Sequence, residues 1–204
     1  MHKMIKLIAC AVIGYLLGCF STGLTVAQKR HVDIRALGSK STGATNVTRV
    51  MGIRLGLITF VGDMLKAAIA LGVGTLFAGR DGAMLAALAA VIGHNWPVFY
   101  RFKGGKGIAC SLAVFALLFP AETIIGGVVA LAAIGITRYV SLGSLLLLCV
   151  TTLAILFRHP FWPAGCWALI LTVLGIARHH ANIQRLLAGK ENKFNPKARP
   201  LDSK

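Results

Sequence analysis

Apolar residues fall in long blocks broken by short polar stretches, near 5–27, 55–79, 83–100, 107–120, 122–138, 139–157 and 160–177. A helix rises about 1.5 Å per residue, so roughly 17–25 apolar residues cross a bilayer core. The pattern predicts an all-α integral membrane protein with seven transmembrane helices. Two of the blocks are short. The block at 107–120 is separated from the next only by Phe119-Pro120-Ala121-Glu122, and a proline beside a charge reads as the interfacial turn of a hairpin rather than a bend exposed to lipid. The first block follows Lys3 and Lys6 as the apolar part of a leader would, but no small-residue cleavage site follows and the block is long enough to span. It is read as the first helix. No internal repeat or second domain is visible, so residues 1–204 read as one membrane-embedded domain. Residues 192–204, with two prolines and many charges, read as a mobile tail near an anionic leaflet.

Composition agrees with this pattern: 56% of the residues are hydrophobic and 14% charged, outside the range of soluble domains. The formal charge of +16, from 22 Lys and Arg against 6 Asp and Glu, fits anionic lipid, an anionic substrate or nucleic acid. Nucleic acid is set aside, because the cations are divided among short loops with no soluble face of duplex size. Their distribution also orients the chain. Seventeen Lys and Arg lie in 28–54, 101–106, at Arg138 and in the tail, against four (Lys3, Lys6, Arg80, Arg158) on the other side. Cytoplasmic loops carry the excess, which places the N-terminus outside and the C-terminus in the cytosol. Five cysteines, mostly inside apolar blocks and without C-x-x-C spacing, indicate neither a disulfide framework nor zinc. No metal-ligand cluster is visible and no cofactor is expected.

The orientation gathers three polar segments at one face. The stretch 93–107 places Arg101, Lys103 and Lys106 among Gly104, Gly105 and Gly107. Glycines reach positive φ without a Cβ penalty and can turn their N–H groups into one concavity, with Lys106 over the rim, suited to phosphate or carboxylate. The spacing is not that of the Walker loop, and a plain membrane-edge turn has the same composition. Residues 38–49 hold Ser39, Thr45, Asn46 and Arg49 among further hydroxyls and glycines. These groups suit an oxyanion, and they also suit an interfacial helix beginning near Thr42. His179, Asn182 and Arg185 recur every three residues, so on a continuing helix they share a face; His180 points elsewhere. Asp63 and Lys66 lie three apart inside an apolar block, where charge is expensive, so they pair with one another or border a polar cavity. Arg138-Tyr139-Val140-Ser141 is a fourth turn at the same face, with the composition of a basic and aromatic anchor. No histidine has Asp five residues later, no G-x-S-x-G is present, and no cytosolic cysteine stands beside a base. Such a set implies positioning and charge stabilisation rather than a covalent enzyme intermediate.

Gly38-Ser39 with Gly43-Ala44-Thr45-Asn46, then Gly93-His94 with Trp96-Pro97-Val98-Phe99 and Phe102-Lys103-Gly104-Gly105-Lys106-Gly107, then Arg178-His179 with Asn182-Ile183 and Arg185-Leu186 together resemble the bacterial acyl-phosphate:glycerol-3-phosphate acyltransferases of the PlsY type. Asp63, Lys66 and Tyr139-Val140-Ser141-Leu142 are in register as well. The resemblance implies a seven-helix enzyme of the bacterial inner membrane. It implies transfer of a fatty acyl group from acyl phosphate to the sn-1 hydroxyl of glycerol 3-phosphate, giving lysophosphatidate and inorganic phosphate without acyl-CoA or acyl carrier protein. A functional link to the enzyme that makes acyl phosphate follows. By position it implies Ser39, Lys106, His179 and Asn182 as catalytic, and Thr45, Asn46, Arg49, Gly104, Gly105, Gly107 and Arg185 as substrate-binding. Asp63, Lys66, His94 and Ser141 would support them. Lys40 and Ser41 stand where the family usually has glycine and asparagine, and Cys110 stands where threonine is common. Lys40 loses the easy positive φ of glycine and adds a charge. The rival readings are a transporter of an organic phosphate and a lipid-binding scaffold; crowding of polar groups at one face speaks against the first, and the Gly-Gly-Lys-Gly turn against the second.

Overall fold

The computed structural model describes residues 1–159 and 163–195. Among them the chain forms nine α-helices, one 3-10 turn and no strand: α1 (His2–Cys19), α2 (Thr22–Lys29), α3 (Ala44–Met51), α4 (Ile53–Asn95), the 3-10 turn Val98–Tyr100, α5 (Ile108–Leu118), α6 (Pro120–Thr137), α7 (Val140–Arg158), α8 (Ala164–Arg178) and α9 (His180–Leu187). Four helical stretches, His2–Lys29, Ile53–Tyr100, Pro120–Thr137 and Val140–Arg158, are long and apolar enough to cross a membrane; Ile108–Leu118 and Ala164–Arg178 are apolar but shorter. The residues pack as two compact units, 1–113 and 114–195.

In the first unit α1 exposes Ile5, Ile8, Val12 and Leu16 along one stripe and buries Cys10, Gly14 and Gly18 along the opposite one. The buried stripe lies on the second half of α4 at backbone distance. A Cβ on Gly14 would strike the Ala86 carbonyl, one on Gly18 the Ala90 carbonyl, and one on Gly93 the Tyr15 carbonyl. Lipid gives no hydrophobic drive for helices to associate, so close backbone approach at small residues supplies the van der Waals contact instead. Since 14 meets 86 and 18 meets 90, the two helices run parallel. Lys3 pairs with Asp81 (3.0 Å) at one end, and the Tyr15 hydroxyl donates to the Trp96 carbonyl (2.9 Å) at the other.

The 43 residues of α4 do not form one rod. Ala78 (φ −146°, ψ 25°) and Gly79 (φ 61°, ψ −146°) leave helical geometry. Gly74 and Gly82 then touch backbone to backbone, although eight residues of straight helix would separate them by about 12 Å. The chain therefore turns back on itself at the last two residues of the second apolar block, directly before the polar stretch expected between it and the third.

The first apolar block is less regular than its composition implies. Helix stops at Cys19 and resumes at Thr22, where the Ser21 hydroxyl caps the Leu24 N–H (3.4 Å). Leu24, Ala27, Ile34, Val47, Val50 and Met51 close into a buried cluster beneath residues 30–43, so α2 and α3 hold the loop between them from below.

In the second unit Phe119 (φ −140°, ψ 62°) separates α5 from α6, and Pro120 occupies the first turn of α6, where its missing N–H leaves nothing unsatisfied. Glu122 is buried there against the end of α7, with Oε1 3.4 Å from Arg158 Nε and 3.2 Å from His159 Nε2. The Thr152 and Thr172 hydroxyls lie 2.7 Å apart between α7 and α8, with the Ala168 carbonyl 3.3 Å from Thr152 and the Leu148 carbonyl 3.2 Å from Thr172. With one proton each, one hydroxyl donates to the other and the second donates to its facing carbonyl. The tail expected over 192–204 is described only to Asn195; Phe194 N–H donates to the Arg138 carbonyl (2.7 Å), and 196–204 lie outside the described residues.

Candidate active site

The loop before α3 is organised by one side chain. Asn46 is 1% exposed. Its Oδ1 accepts from Ser39 N–H (2.7 Å), and its Nδ2 lies within hydrogen-bond distance of the carbonyls of Ile34 (3.1 Å), Leu37 (3.1 Å) and Ser41 (2.9 Å). Asn46 thus gathers the loop around its own amide. Gly38, at φ 58°, is required where it stands: a Cβ would collide with Asn46 Oδ1. Lys40 also sits at φ 58°, so this chain keeps the left-handed turn despite lacking a glycine there, at a cost of about 1–2 kcal/mol. The Ser41 hydroxyl accepts from Gly43 N–H (3.3 Å). α3 begins at Ala44 on an extended Gly43, two residues later than the sequence implies, with Thr45 on its first turn and Arg49 on its last. Ser39 and Thr45 remain half-buried beside the loop.

The glycine turn follows α4 directly. His94 and Asn95 are the last residues of that helix and both are buried. Arg101 and Phe102 take left-handed φ (56° and 58°), which folds the chain back so that Gly105 N–H donates to the His94 carbonyl (3.0 Å). Gly104 lies on that carbonyl and on the Pro97 ring, Gly105 lies on the His94 imidazole, and Gly107 (φ 80°) lies on the Asn95 amide; a Cβ at any of the three would clash. α5 starts immediately after Gly107, so residues 105–107 present the turn at a helix N-terminus, where unpaired N–H groups and the helix dipole favour an anion. Lys106 is half-buried within this turn.

Beneath the turn, Asp63 and Lys66 do pair: Lys66 Nζ is 3.0 Å from Asp63 Oδ1, with both side chains buried. Lys66 also reaches His94 Nδ1 (2.9 Å) and the Phe20 carbonyl (2.6 Å) at the break between α1 and α2. Cys110 Sγ–H points at the Asp63 carbonyl (3.2 Å). Asn95, fully buried, has neither amide atom hydrogen-bonded among the described residues.

In the second unit His179 precedes α9 and is 2% exposed. Its Nδ1 lies 2.8 Å from the Gly175 carbonyl, which can only accept, so Nδ1 carries the ring proton and Nε2 is the acceptor of the neutral imidazole. Asn182 Nδ2 donates to Glu191 Oε1 (3.0 Å) and Arg185 Nε to Glu191 Oε2 (2.8 Å). The helix does not continue through His179, which sits at the break between α8 and α9 (φ −99°, ψ 7°), so only Asn182 and Arg185 stand on α9, where a buried carboxylate beyond the helix ties them together. Glu191 escapes sequence reasoning because its partners are set by how the chain turns after α9. Its only signal is that it is one of six acidic residues in a basic chain. His180 is exposed, as expected from its helical position. Ser141 is buried at the start of α7 with its hydroxyl unpartnered among the described residues. Residues 38–49, 63–66 and 93–107 thus belong to the first unit, and Ser141, His179, Asn182, Arg185 and Glu191 to the second.

Among the described residues no three His, Cys, Asp or Glu side chains cluster as metal ligands, and all five cysteines are free thiols.

Comparison with known proteins covers nearly the whole chain. The family model described as glycerol-3-phosphate acyltransferase matches residues 8–189, a range that includes all three polar segments. A glycerol-3-phosphate acyltransferase of Halalkalibacterium halodurans is 45% identical over 196 residues, covering 91% of this chain and 95% of that protein. One from Thermoanaerobacter sp. is 41% identical over 191 residues, covering 92% and 95%. The crystal structure of PlsY, an integral membrane glycerol 3-phosphate acyltransferase, in its glycerol 3-phosphate form superposes with a TM-score of 0.86 at 35% identity, covering 93% of this chain and 96% of that one. Its lysophosphatidic acid form gives 0.83 at 34%. With several helices apolar enough to cross a bilayer, this is a multi-pass membrane protein. The chain belongs to the glycerol-3-phosphate acyltransferase family.

Proposed function

We propose that this protein transfers a fatty acyl group from acyl phosphate to the sn-1 hydroxyl of glycerol 3-phosphate, releasing lysophosphatidic acid and inorganic phosphate. The reading places it in a bacterial inner membrane as one membrane-embedded domain of seven spans, N-terminus outside and C-terminus in the cytosol, with the chemistry at the cytosolic face. It would carry out the first acylation of phospholipid synthesis, next to the enzyme that supplies acyl phosphate. The observation that carries the reading is the family match over residues 8–189, a range that includes 38–49, 93–107 and 178–185. The family members named above are acyltransferases of glycerol 3-phosphate, and one solved relative was captured in a lysophosphatidic acid form.

In this mechanism the acyl chain lies among the apolar helices, and its phosphate rests on the N–H groups of Gly104 and Gly107, beside Lys106 and Ser39, with Gly105 shaping the turn because its own N–H is held by the His94 carbonyl. Thr45, Arg49, Asn182 and Arg185 hold glycerol 3-phosphate, Arg49 with a planar fork that engages two oxygens at once. The sn-1 oxygen attacks the acyl carbonyl carbon. The new ester bond forms as the bond from that carbon to the phosphate oxygen breaks, and the phosphate departs with the bonding pair. The hydroxyl proton passes to His179 Nε2 or to a substrate phosphate oxygen. Cations and N–H dipoles stabilise the charge gathering on the leaving phosphate, so no acyl-enzyme is needed. Asn46 serves the site by shaping the first loop, since its amide is engaged with that loop's backbone. Ser141 and the Asp63, Lys66 and His94 group support the site.

The test is incubation of purified protein with labelled glycerol 3-phosphate and, in parallel, acyl phosphate, acyl-CoA or acyl carrier protein thioester. Lysophosphatidic acid from acyl phosphate alone is the expected result. Product from the thioesters at equal rate would overturn the donor assignment, and uptake of glycerol 3-phosphate into vesicles without product would make the protein a transporter.

A further inference from the structure

Lys66 lies inside a helix whose other side carries exposed Val61, Leu65 and Ile69, yet its own side chain is 5% exposed. Three groups surround its Nζ: Asp63 Oδ1 at 3.0 Å, the Phe20 carbonyl at 2.6 Å and His94 Nδ1 at 2.9 Å. An ammonium has three protons and no acceptor, so Nζ donates to the Phe20 carbonyl and to His94 Nδ1, while Asp63 Oδ1 faces it as an ion-pair partner without hydrogen-bond geometry. Each partner then has one role. Asp63 supplies the countercharge; the Phe20 carbonyl, released where α1 breaks, is an acceptor that intact helix would not offer; His94 must present a bare Nδ1. The neutral imidazole consequently carries its proton on Nε2. Asp63 Oδ1 lies 3.6 Å from His94 Nδ1, beyond a hydrogen bond, so Lys66 rather than Asp63 orients the ring.

The other end of that ring meets the glycine turn. A Cβ built on Gly105 would fall on His94 Nε2, and Gly105 N–H is already bonded to the His94 carbonyl (3.0 Å). His94 therefore holds the turn twice, by its backbone from one side and by its ring tip under the Gly105 α-carbon. We infer that Asp63 and Lys66 are positioning residues for the glycine turn, acting through a His94 ring fixed as the Nε2–H tautomer. The inference rests on the proposed role of that turn as the cradle for the substrate phosphate. It explains why a buried ion pair is kept inside an apolar helix: the pair sets the height and direction of the N–H groups that meet the anion. A misplacement of about 1 Å at such a site costs on the order of 100-fold in rate.

Two measurements on the full-length protein in detergent test this. Histidine-selective 15N NMR, with the His94 signal assigned by its loss in His94→Gln, reads the tautomer without substrate. Protonated Nε2 and bare Nδ1 are expected, and a proton on Nδ1 would overturn the inference. The second measurement is kcat/KM for acyl transfer in two folded variants. Gln reaches the Nε2 position under Gly105, whereas Asn offers a group only at the Nδ1 position facing Lys66. His94→Gln is expected to stay within about tenfold of wild type and His94→Asn to fall about 100-fold. The reverse order would show that His94 matters only for satisfying Lys66, and would overturn the inference. Because removing one charge risks unfolding, the pair is removed together in Asp63→Asn with Lys66→Met. That double variant should lose the single tautomer and fall in kcat/KM as His94→Asn does; wild-type turnover from it would overturn the inference. If wild-type protein makes no product at all, the phosphate reading of the turn fails, and the NMR result still shows whether the ring is fixed.

Discussion

Asn46 and Glu191 show how much single side chains decide here. Asn46 spends its amide on the backbone of the loop around it, and Ala in its place would leave three carbonyls and the Ser39 N–H without their partner. Asn46→Ala is expected to lower stability by about 2 kcal/mol and to raise KM for glycerol 3-phosphate, read by thermal unfolding in detergent and by steady-state kinetics. Lys40 makes the opposite prediction. Its left-handed φ of 58° is relieved by glycine, so Lys40→Gly should gain on the order of 1 kcal/mol, visible as a higher Tm; a lower Tm would mean that the Lys40 charge matters more than its backbone strain. Glu191→Gln replaces one acceptor oxygen with an NH2 group that must face Asn182 Nδ2 or Arg185 Nε, and a fall in both stability and turnover is expected. The sequence marks residues 38–49 as polar chemistry, and Lys40 as standing where a glycine belongs. It does not show that Asn46 turns its amide inward, because the acceptors are backbone carbonyls that any residue supplies.

Among the elements, α5, α6, α7 and α8 fall within a few residues of the apolar blocks that predict them, since hydropathy and helix length state the same requirement in a bilayer. The breaks are less legible. Composition gives a continuous first helix, whereas helix stops at Cys19 and restarts at Thr22. What stabilises that gap is Lys66, 46 residues away, whose Nζ satisfies the Phe20 carbonyl, so the break depends on a tertiary partner and has no local signature. Replacing Lys66 alone with Ala would leave Asp63 buried without a countercharge and should destabilise the protein by about 3–5 kcal/mol, measured as loss of monodisperse protein on heating. The contact between α1 and α4 is equally exacting. Gly18→Leu places a side chain where the Ala90 backbone already lies, so this variant should fail to give folded protein, whereas Val12→Leu on the exposed stripe should be tolerated.

For the whole molecule the charge asymmetry carries most of the argument. Seventeen of the 22 Lys and Arg fall on one side of the proposed topology, so a C-terminal reporter should be shielded in intact cells and accessible in inverted vesicles; labelling from outside intact cells would contradict the orientation. The same side gathers the polar segments that the account assigns to one reaction, although Lys106 and His179 belong to different packing units. The measurement that tests this most directly is a double-mutant cycle on kcat/KM for acyl transfer from acyl phosphate, using folded Lys106→Ala, His179→Ala and the double variant. If both residues act in the same transfer, each single change should cost about 100-fold or more, and the double variant should lose far less than the product of the two. Wild-type turnover from either single variant would contradict the account.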